Sequence, residues 1–199
     1  MPKNLKTIGG GAFSSCSFSG TLHLPTSLVS IGSGAFWANN QLTGTLEIPE
    51  KITSIKESAF EGCSQIEGLV LPANIETIQP RAFEKCFNIG SIVCKGAYPA
   101  YVKSGAFDGV PKDNFTVEVP ESAVAQYQTA VGWNEFKRIA AHHELVCRPS
   151  IACALATEHK QSLIVDAEGE WEVASKPDWC EVSPASGNKK TKVTLTINA

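Results

Sequence analysis

The sequence of 199 residues has no excess of positive charge and no long apolar run. It has 17 Lys and Arg against 20 Asp and Glu. The basic residues form no stripe in either half, so nucleic acid and anionic membrane surfaces are not expected partners. No segment is long and apolar enough to act as a signal segment or to span a membrane. We therefore expect no direct membrane insertion.

The chain also lacks the residue patterns that carry catalysis or metal binding. Its seven cysteines contain no Cys-x-x-Cys pair, and no histidine lies near them at zinc spacing. The glycines at 9–11 are not followed by a phosphate-loop lysine. The polar residues at 142–144 are adjacent on an extended chain, where side chains point to opposite sides, so we interpret them as a linker. We predict no cofactor, no metal and no catalytic residue, and the chain is not expected to be an enzyme.

What the chain does contain is a repeat built around the dipeptide Ala-Phe. The dipeptide recurs five times at intervals of 23 or 24 residues. A β-branched aliphatic residue precedes every one of these alanines by four positions, and a proline precedes the first four by ten positions. Such a period is typical of a solenoid whose units bury their apolar faces against one another. The repeat dipeptides begin at Ala12, Ala35, Ala59, Ala82 and Ala106.

Short alternating segments precede the Ala-Phe turns and predict one strand per coil. Alternation of apolar and outward residues indicates a half-buried strand, and a proline directly after it ends the strand. We interpret the Ala-Phe segment as a tight helical turn whose Phe enters the core. The predicted fold is therefore mostly β, with five coils of 23–24 residues. The predicted strand centres are Leu22-His23-Leu24, Leu46-Glu47-Ile48, Leu69-Val70-Leu71, Ile92-Val93-Cys94 and Val117-Glu118-Val119.

Three elements recur in order: Leu-x-Ile-Pro, then Ile-x-x-x-Ala-Phe, then x-x-Cys. Together they resemble the BspA-like leucine-rich repeat of bacterial surface proteins, over roughly residues 1–140. The resemblance implies a parallel-strand solenoid and an extracellular location at the cell surface. It also implies attachment or recognition as the role of the array.

Both ends of the predicted solenoid, which we place at residues 1–141, depart from the repeat. After Pro120 the apolar residues Val124, Tyr127 and Val131 have helical spacing, and Gly132 is expected to end that helix. We predict a C-terminal cap in which Trp133 packs inward, as in the similar closing segment of the BspA-like family. The chain begins at the proline of a coil, so we expect a fragment of a longer protein that self-associates end to end through an uncapped N-terminal coil.

Residues 142–199 lose the repeat period and have strand-like runs separated by turn clusters. We predict a small immunoglobulin-like β-sandwich. The segment from Trp179 to Gly187, Trp-Cys-Glu-Val-Ser-Pro-Ala-Ser-Gly, resembles the BACON domain of polysaccharide-using bacteria. That resemblance implies a domain that accompanies exported multidomain proteins. Members of the family have a further strand after the position of Asn198, so we expect the domain to be incomplete in this sequence.

Three cysteines share one repeat position, three residues after the repeat Phe: Cys16, Cys63 and Cys86. Cys94 takes an inward strand position. We expect all four to be small buried core residues with free thiols, and a Cys63–Cys86 disulfide is the alternative.

Candidate ligand contacts come from two kinds of position. Val70 and Val93 belong to the outward strand row, which also holds His23, Glu47 and Glu118 and has none of the aromatic faces that sugar binding uses. Aromatic residues at turns, loops and the predicted sandwich are the second kind, since exposed rings there mark recognition. These aromatic candidates are Trp37, Tyr98, Tyr101 and Trp171.

The function that follows is a non-catalytic extracellular recognition or adhesion module. Its expected partner is a host or matrix protein, or a glycan. Two alternatives stay open on the sequence alone. The chain could be a structural spacer or accessory region of a multidomain polysaccharide-processing protein, or a carbohydrate-binding module that acts through the C-terminal sandwich.

Overall fold

The computed structural model describes residues 1–142 and, beyond them, residues 160–165, 170–172, 180–183, 186–188 and 191–197. The chain divides into two compact units, Met1–His142 and His143–Ala199. Each unit is described by itself.

Short parallel strands build the first unit, and every pairing among them is parallel. The strands are β1 (Thr7–Ile8), β2 (Ser19–Thr21), β3 (Ser30–Ile31), β4 (Gln41–Thr43), β5 (Thr45–Glu47), β6 (Ser54–Ile55), β7 (Gly68–Leu71), β8 (Thr77–Ile78), β9 (Ser91–Cys94), β10 (Tyr101–Val102), β11 (Val117–Val119) and β12 (Ile139–Ala141). In every strand of this unit except β2, at least one apolar residue points into the core, whereas the three residues of β2 are exposed.

The largest sheet has the strand order β12-β11-β9-β7-β5. A second sheet has the order β10-β8-β6, and β1 pairs with β3 and β2 with β4 in two-stranded sheets. This confirms the predicted mostly-β parallel solenoid. The number of turns differs from the prediction, because the chain after the fifth Ala-Phe returns to the main sheet twice. It returns first as the predicted strand β11 and again after the C-terminal cap as β12, which adds a sixth turn.

The predicted first strand of the array, Leu22-His23-Leu24, is wrong. The strand of this coil is β2, three residues earlier, and it pairs with β4 instead of β5. Leu46 lies ten residues after Phe36, whereas Leu22 lies nine residues after Phe13, so the chain has one extra residue ahead of β5. Gly44 accommodates this residue between β4 and β5 with a φ of +70°. The register therefore changes at Gly44, and Leu22 and Leu24 pack half-buried against the core without joining the sheet.

The Ala-Phe segments are turns and not helical, contrary to the prediction. In the second coil, the N–H groups of Ala35, Trp37 and Asn39 donate to carbonyls three residues earlier. The alternate N–H groups, those of Phe36 and Ala38, donate instead to carbonyls of the third coil at 2.8 Å. A helix would keep all of these donors within one segment. Here every second amide joins one coil to the next.

Left-handed backbone at two positions per coil turns the alternate amides toward the neighbouring coil. These positions are the residue before the repeat Ala and the second residue after the repeat Phe, and their φ angles lie between +52° and +87° in all five coils. Five of the ten residues are not glycine, although this region favours glycine. The ten residues are Gly11, Gly34, Ser58, Arg81 and Gly105 at the first position and Ser15, Ala38, Gly62, Lys85 and Gly109 at the second.

The five repeat phenylalanines form one continuous column inside the solenoid. Phe36, Phe60 and Phe83 are completely buried, as predicted. Successive ring centroids from Phe13 to Phe107 lie 5.3–5.6 Å apart, and the three pairs beyond Phe36 have interplanar angles of 3–8°. The separation exceeds the strand repeat of about 4.8 Å that we expected, because aromatic pairs prefer offset stacking to a face-to-face sandwich.

The C-terminal cap closes this column with aromatic residues. A 3-10 turn at Glu121–Ala123 leads into the helix α1, Val124–Thr129. Trp133 is fully buried, 5.7 Å from the ring centroid of Phe107, which confirms that it packs in the cap. Val131 was expected on the helix but lies beyond its end and is 74% exposed. The helix ends early because Ala130 is already extended, with a ψ of 136°.

The described residues of the second unit form antiparallel strands. The strands are β13 (Lys160–Val165), β14 (Glu170–Glu172), β15 (Cys180–Ser183), β16 (Ser186–Asn188) and β17 (Thr191–Ile197). One sheet has the order β13-β17-β15, and β14 pairs with β16. The immunoglobulin-like sandwich stays a prediction, and Trp179 and the linker residues 143–144 lie outside the described residues.

Candidate recognition surface

The outward row of the main sheet is the first candidate contact surface. Val70 and Val93 are register partners on β7 and β9, with Glu47 and Glu118 in register on either side of them. The valines are half-buried between their neighbours. This confirms the predicted row except for His23, which is exposed but lies outside the sheet. The row therefore has a small apolar centre, Val70 and Val93, with one acidic residue on either side of it.

Beside this row, His142 approaches Glu118. The ring nitrogen Nδ1 of His142 lies 2.5 Å from Oε2 of Glu118, and the backbone N–H of His142 donates to the carbonyl of Val119. The pair occupies the end of the outward row nearest β12. Its contacts are with the solenoid itself, so His142 serves to continue the sheet edge.

Trp37 lies in the Ala-Phe turn of the second coil, directly after the buried Phe36. Its side chain is 43% exposed, as the polar residues at this position in the other coils predict. The backbone of Trp37 is fixed on both sides: its N–H donates to Gly34 and its carbonyl accepts from Ser15 at 2.7 Å. The turn therefore holds an exposed indole on a rigid backbone.

Tyr98 lies in the connection between β9 and β10 of the fifth coil, and Tyr101 is the first residue of β10. They are 76% and 59% exposed. The ammonium group of Lys103 lies 4.5 Å from the ring centroid of Tyr101, a cation–π contact at the surface. The third and fourth coils lie between these tyrosines and the turn of Trp37. The predicted contacts thus fall on the main sheet, the second-coil turn and the fifth-coil connection, and not in one cluster.

Phe87 is a further aromatic residue at the surface, 56% exposed, and it was not among the predicted contacts. Its ring lies over Gly109, where an added Cβ would approach Cε1 of Phe87 to 2.9 Å. The signal was available, because Phe87 occupies a position that is Ser17, Asn40 or Ser64 in the earlier coils. Trp171 lies in β14, whose backbone is described, and its role as a contact stays a prediction.

Polar side chains elsewhere on the surface pair between neighbouring coils. Arg81 donates to Glu57 at 2.6 Å, and the hydroxyl of Thr77 donates to that of Ser54 at 2.8 Å. Exposed ion pairs of this kind contribute between nothing and about 1 kcal/mol. These residues satisfy one another along the array and offer few free groups to a ligand.

The cysteines of the solenoid are free thiols. The thiols of Cys63 and Cys86 donate to the carbonyls of Phe36 and Phe60, the repeat phenylalanines of the preceding coils. Burial raises the pKa of Cys63 to about 12 and also raises the pKa values of Cys86 and Cys94. Nucleophilic chemistry needs the thiolate, so these three are structural. Cys16 was expected to be buried but is exposed, and its thiol donates to the carbonyl of Ser14 within its own turn.

Within the described ranges, no group of three or more His, Cys, Asp or Glu side chains is placed to hold a metal ion. No helix in those same ranges is long and apolar enough to cross a membrane.

Comparison with known proteins identifies the family of the array. A family model described as the BspA type leucine rich repeat region matches six copies over residues 1–112. The match covers more than half of the 199 residues, so the chain belongs to this family. The comparisons give no support to the BACON-like resemblance, which stays a prediction. No curated protein matches the chain.

Among solved structures, the chain is similar to a leucine rich cell surface protein from Faecalibacterium prausnitzii A2-165. The two are 24% identical, with a TM-score of 0.47. The similarity covers 78% of this chain and 35% of that protein, so the chain spans about a third of its length.

Proposed function

We propose that the chain is a non-catalytic recognition or adhesion module of a bacterial surface protein. The observation that carries this proposal is the contrast between a constant interior and a variable exterior. All five Ala-Phe turns repeat one backbone geometry, while the residue after the repeat Phe is Ser, Trp, Glu or Asp in different coils and includes the exposed Trp37. A solenoid of this kind offers extended surfaces on which binding residues can vary independently of the fold.

Membership of the BspA-type family supports the proposal, since its repeats are arrays and not catalytic domains. The BspA-type family resemblance implies a location at the cell surface, and we extend that location to this chain as part of the proposal. The partner is a host or matrix protein, or a glycan.

The experiment is an array of purified extracellular-matrix proteins and of glycans, probed with the full chain. Binding with a dissociation constant below about 100 μM to any component supports the proposal. Variants Trp37→Ala, Val70→Lys and the double variant Tyr98→Ser/Tyr101→Ser locate the surface used. Absence of binding to every protein and glycan on the array would contradict a recognition function.

Self-association through the first coil is a second part of the proposal. Phe18 is 39% exposed and Phe13 half-buried, so this coil shows apolar surface. The turn amides donate from each coil to the carbonyls of the next, from Phe13 to Ala35 for example. The outer side of the first coil therefore presents turn carbonyls, which suit a donor-bearing surface and disfavour a head-to-head pair. Analytical ultracentrifugation of the wild type and of Phe18→Ser tests this. The sedimentation coefficient of the wild type should rise with concentration more than that of the variant, and a monomer at every concentration for both proteins would oppose the proposal.

A further inference from the structure

The connection between β9 and β10 departs from the repeat. In the third and fourth coils a proline follows the main strand and starts a turn, closed by a donor three residues later, as in Ile52 to Pro49 at 3.0 Å. In the fifth coil Lys95 takes the register of Pro72, and the connection is one residue longer. We refer to residues 95–103 as the tyrosine loop.

The cap holds the tyrosine loop through its backbone. The hydroxyl of Tyr127 lies 3.2 Å from the carbonyl oxygen of Gly96 and 3.3 Å from that of Tyr98, and it shares its proton between them. The indole N–H of Trp133 donates to the carbonyl of Ala100 at 2.9 Å. Both cap side chains are completely buried. Buried donors thus anchor three carbonyls in five consecutive residues.

The neighbouring coil fixes the rest of the loop. A Cβ on Gly96 would approach the carbonyl oxygen of Ala73 to 2.9 Å, so the chain passes too close for a side chain here. The N–H of Tyr101 donates to the carbonyl of Glu76 at 2.8 Å. None of these anchoring contacts uses the phenol of Tyr98 or Tyr101. Both rings are therefore displayed on a backbone that is already ordered.

We propose that the tyrosine loop is the docking site for a protein partner that receives the two tyrosines in an apolar pocket. The inference rests on the proposed recognition function and names its site and partner class. Tyrosines contribute large contact area at low entropic cost, and they are enriched among residues that dominate protein interfaces. A backbone ordered before binding lowers that cost further.

The geometry favours a protein over a glycan as occupant. A sugar stacks on an open ring face, but one face of Tyr101 is covered by the ammonium group of Lys103. Tyr98, at 76% exposed, projects from the loop, which suits insertion into a pocket. Lys103 adds a positive charge beside the ring of Tyr101, so the partner's pocket should have a carboxylate at its rim.

The test uses the full chain and an immobilised array of matrix proteins, each present in native and enzymatically deglycosylated form, alongside free glycans. The double variant Tyr98→Ser/Tyr101→Ser should lose at least about 30-fold in affinity for the protein that binds. Phe87→Ser is the matched control, since it removes another exposed aromatic ring outside the loop, and should bind like the wild type. Tyr127→Phe removes the hydroxyl that holds the carbonyls of Gly96 and Tyr98 and leaves both exposed tyrosines in place, so it should weaken binding by a smaller factor.

Binding that survives deglycosylation and requires the two tyrosines supports the inference. Binding that survives the double variant and is lost in Trp37→Ala would overturn it, and so would binding to free glycans alone. Either of these outcomes would leave the recognition function standing. Absence of binding to every protein and glycan would overturn both.

Discussion

The repeat Phe and the residue that follows it are adjacent in sequence and opposite in behaviour. The first position is Phe in all five coils, and its rings stack through the interior. The second position is exposed or half-exposed in every coil and holds four different residue types in the five coils, with Glu in two of them. The contrast shows that the fold is stabilised by one face of the turn and leaves the other face free to vary. The fifth-coil connection extends the same contrast, with buried cap residues beneath exposed tyrosines.

The largest expected effect comes from the interior column. Phe60→Ala removes a fully buried ring that stacks on Phe36 and Phe83, and it should lower the free energy of unfolding by about 3–5 kcal/mol. Chemical denaturation of the two proteins measures this. Phe87→Ala is the control on the exposed side and should change stability by less than about 0.5 kcal/mol. Equal effects at the two positions would break the comparison.

A second effect is expected at Asn39, which takes the repeat position of Cys63. Its side-chain amide donates to the carbonyls of Phe13 and Phe36 and accepts from the N–H of Phe18. Asn39→Ala should cost about 2–3 kcal/mol, because buried groups lose their partners. Asn39→Cys should cost less, since thiols at this position donate to the same carbonyl column. A melting comparison in which cysteine is no better than alanine would refute this account of the column.

The buried thiols predict loss of stability at alkaline pH. Burial raises the pKa of Cys63 from 9.0 to about 12, so the unfolded chain releases its proton before the folded one does. Stability should be complete below pH 9 and fall as the pH rises above it, by up to about 1.4 kcal/mol per pH unit for such a group. Urea unfolding between pH 7 and 10.5 measures the slope. Cys63→Val should make it shallower, and an unchanged slope would argue against this thiol as a source.

The smallest effect concerns the left-handed turn positions. Ala38 has a φ of +58°, where a residue with a Cβ is strained, and Gly62 takes the same position one coil later. Ala38→Gly should raise the free energy of unfolding by about 0.5–1 kcal/mol. Ala125→Gly, in helix α1, should lower it by about 1 kcal/mol. A shift of the same sign in both variants would show that backbone strain is not what distinguishes them.

Sequence reasoning reached the solenoid, the Phe column and the cap residue Trp133 because each follows from a period or a spacing. It missed features that depend on how neighbouring coils meet. The Ala-Phe turns resemble helical turns locally, and only the next coil's carbonyls make the alternate amides point outward. The shifted first strand depends on Gly44, one residue in the adjacent coil. The tyrosines were identified as candidates, but their anchoring by Tyr127 and Trp133 joins residues about 30 positions apart.

The central claim is that exposed departures from the repeat carry recognition while the buried column carries the fold. Urea unfolding of the Tyr98→Ser/Tyr101→Ser double variant, on the samples used for binding, tests it most directly. The account predicts a free energy of unfolding within about 0.5 kcal/mol of the wild type, together with lost binding. A loss of more than about 2 kcal/mol would show that these tyrosines stabilise the fold, and it would contradict the separation of the two roles.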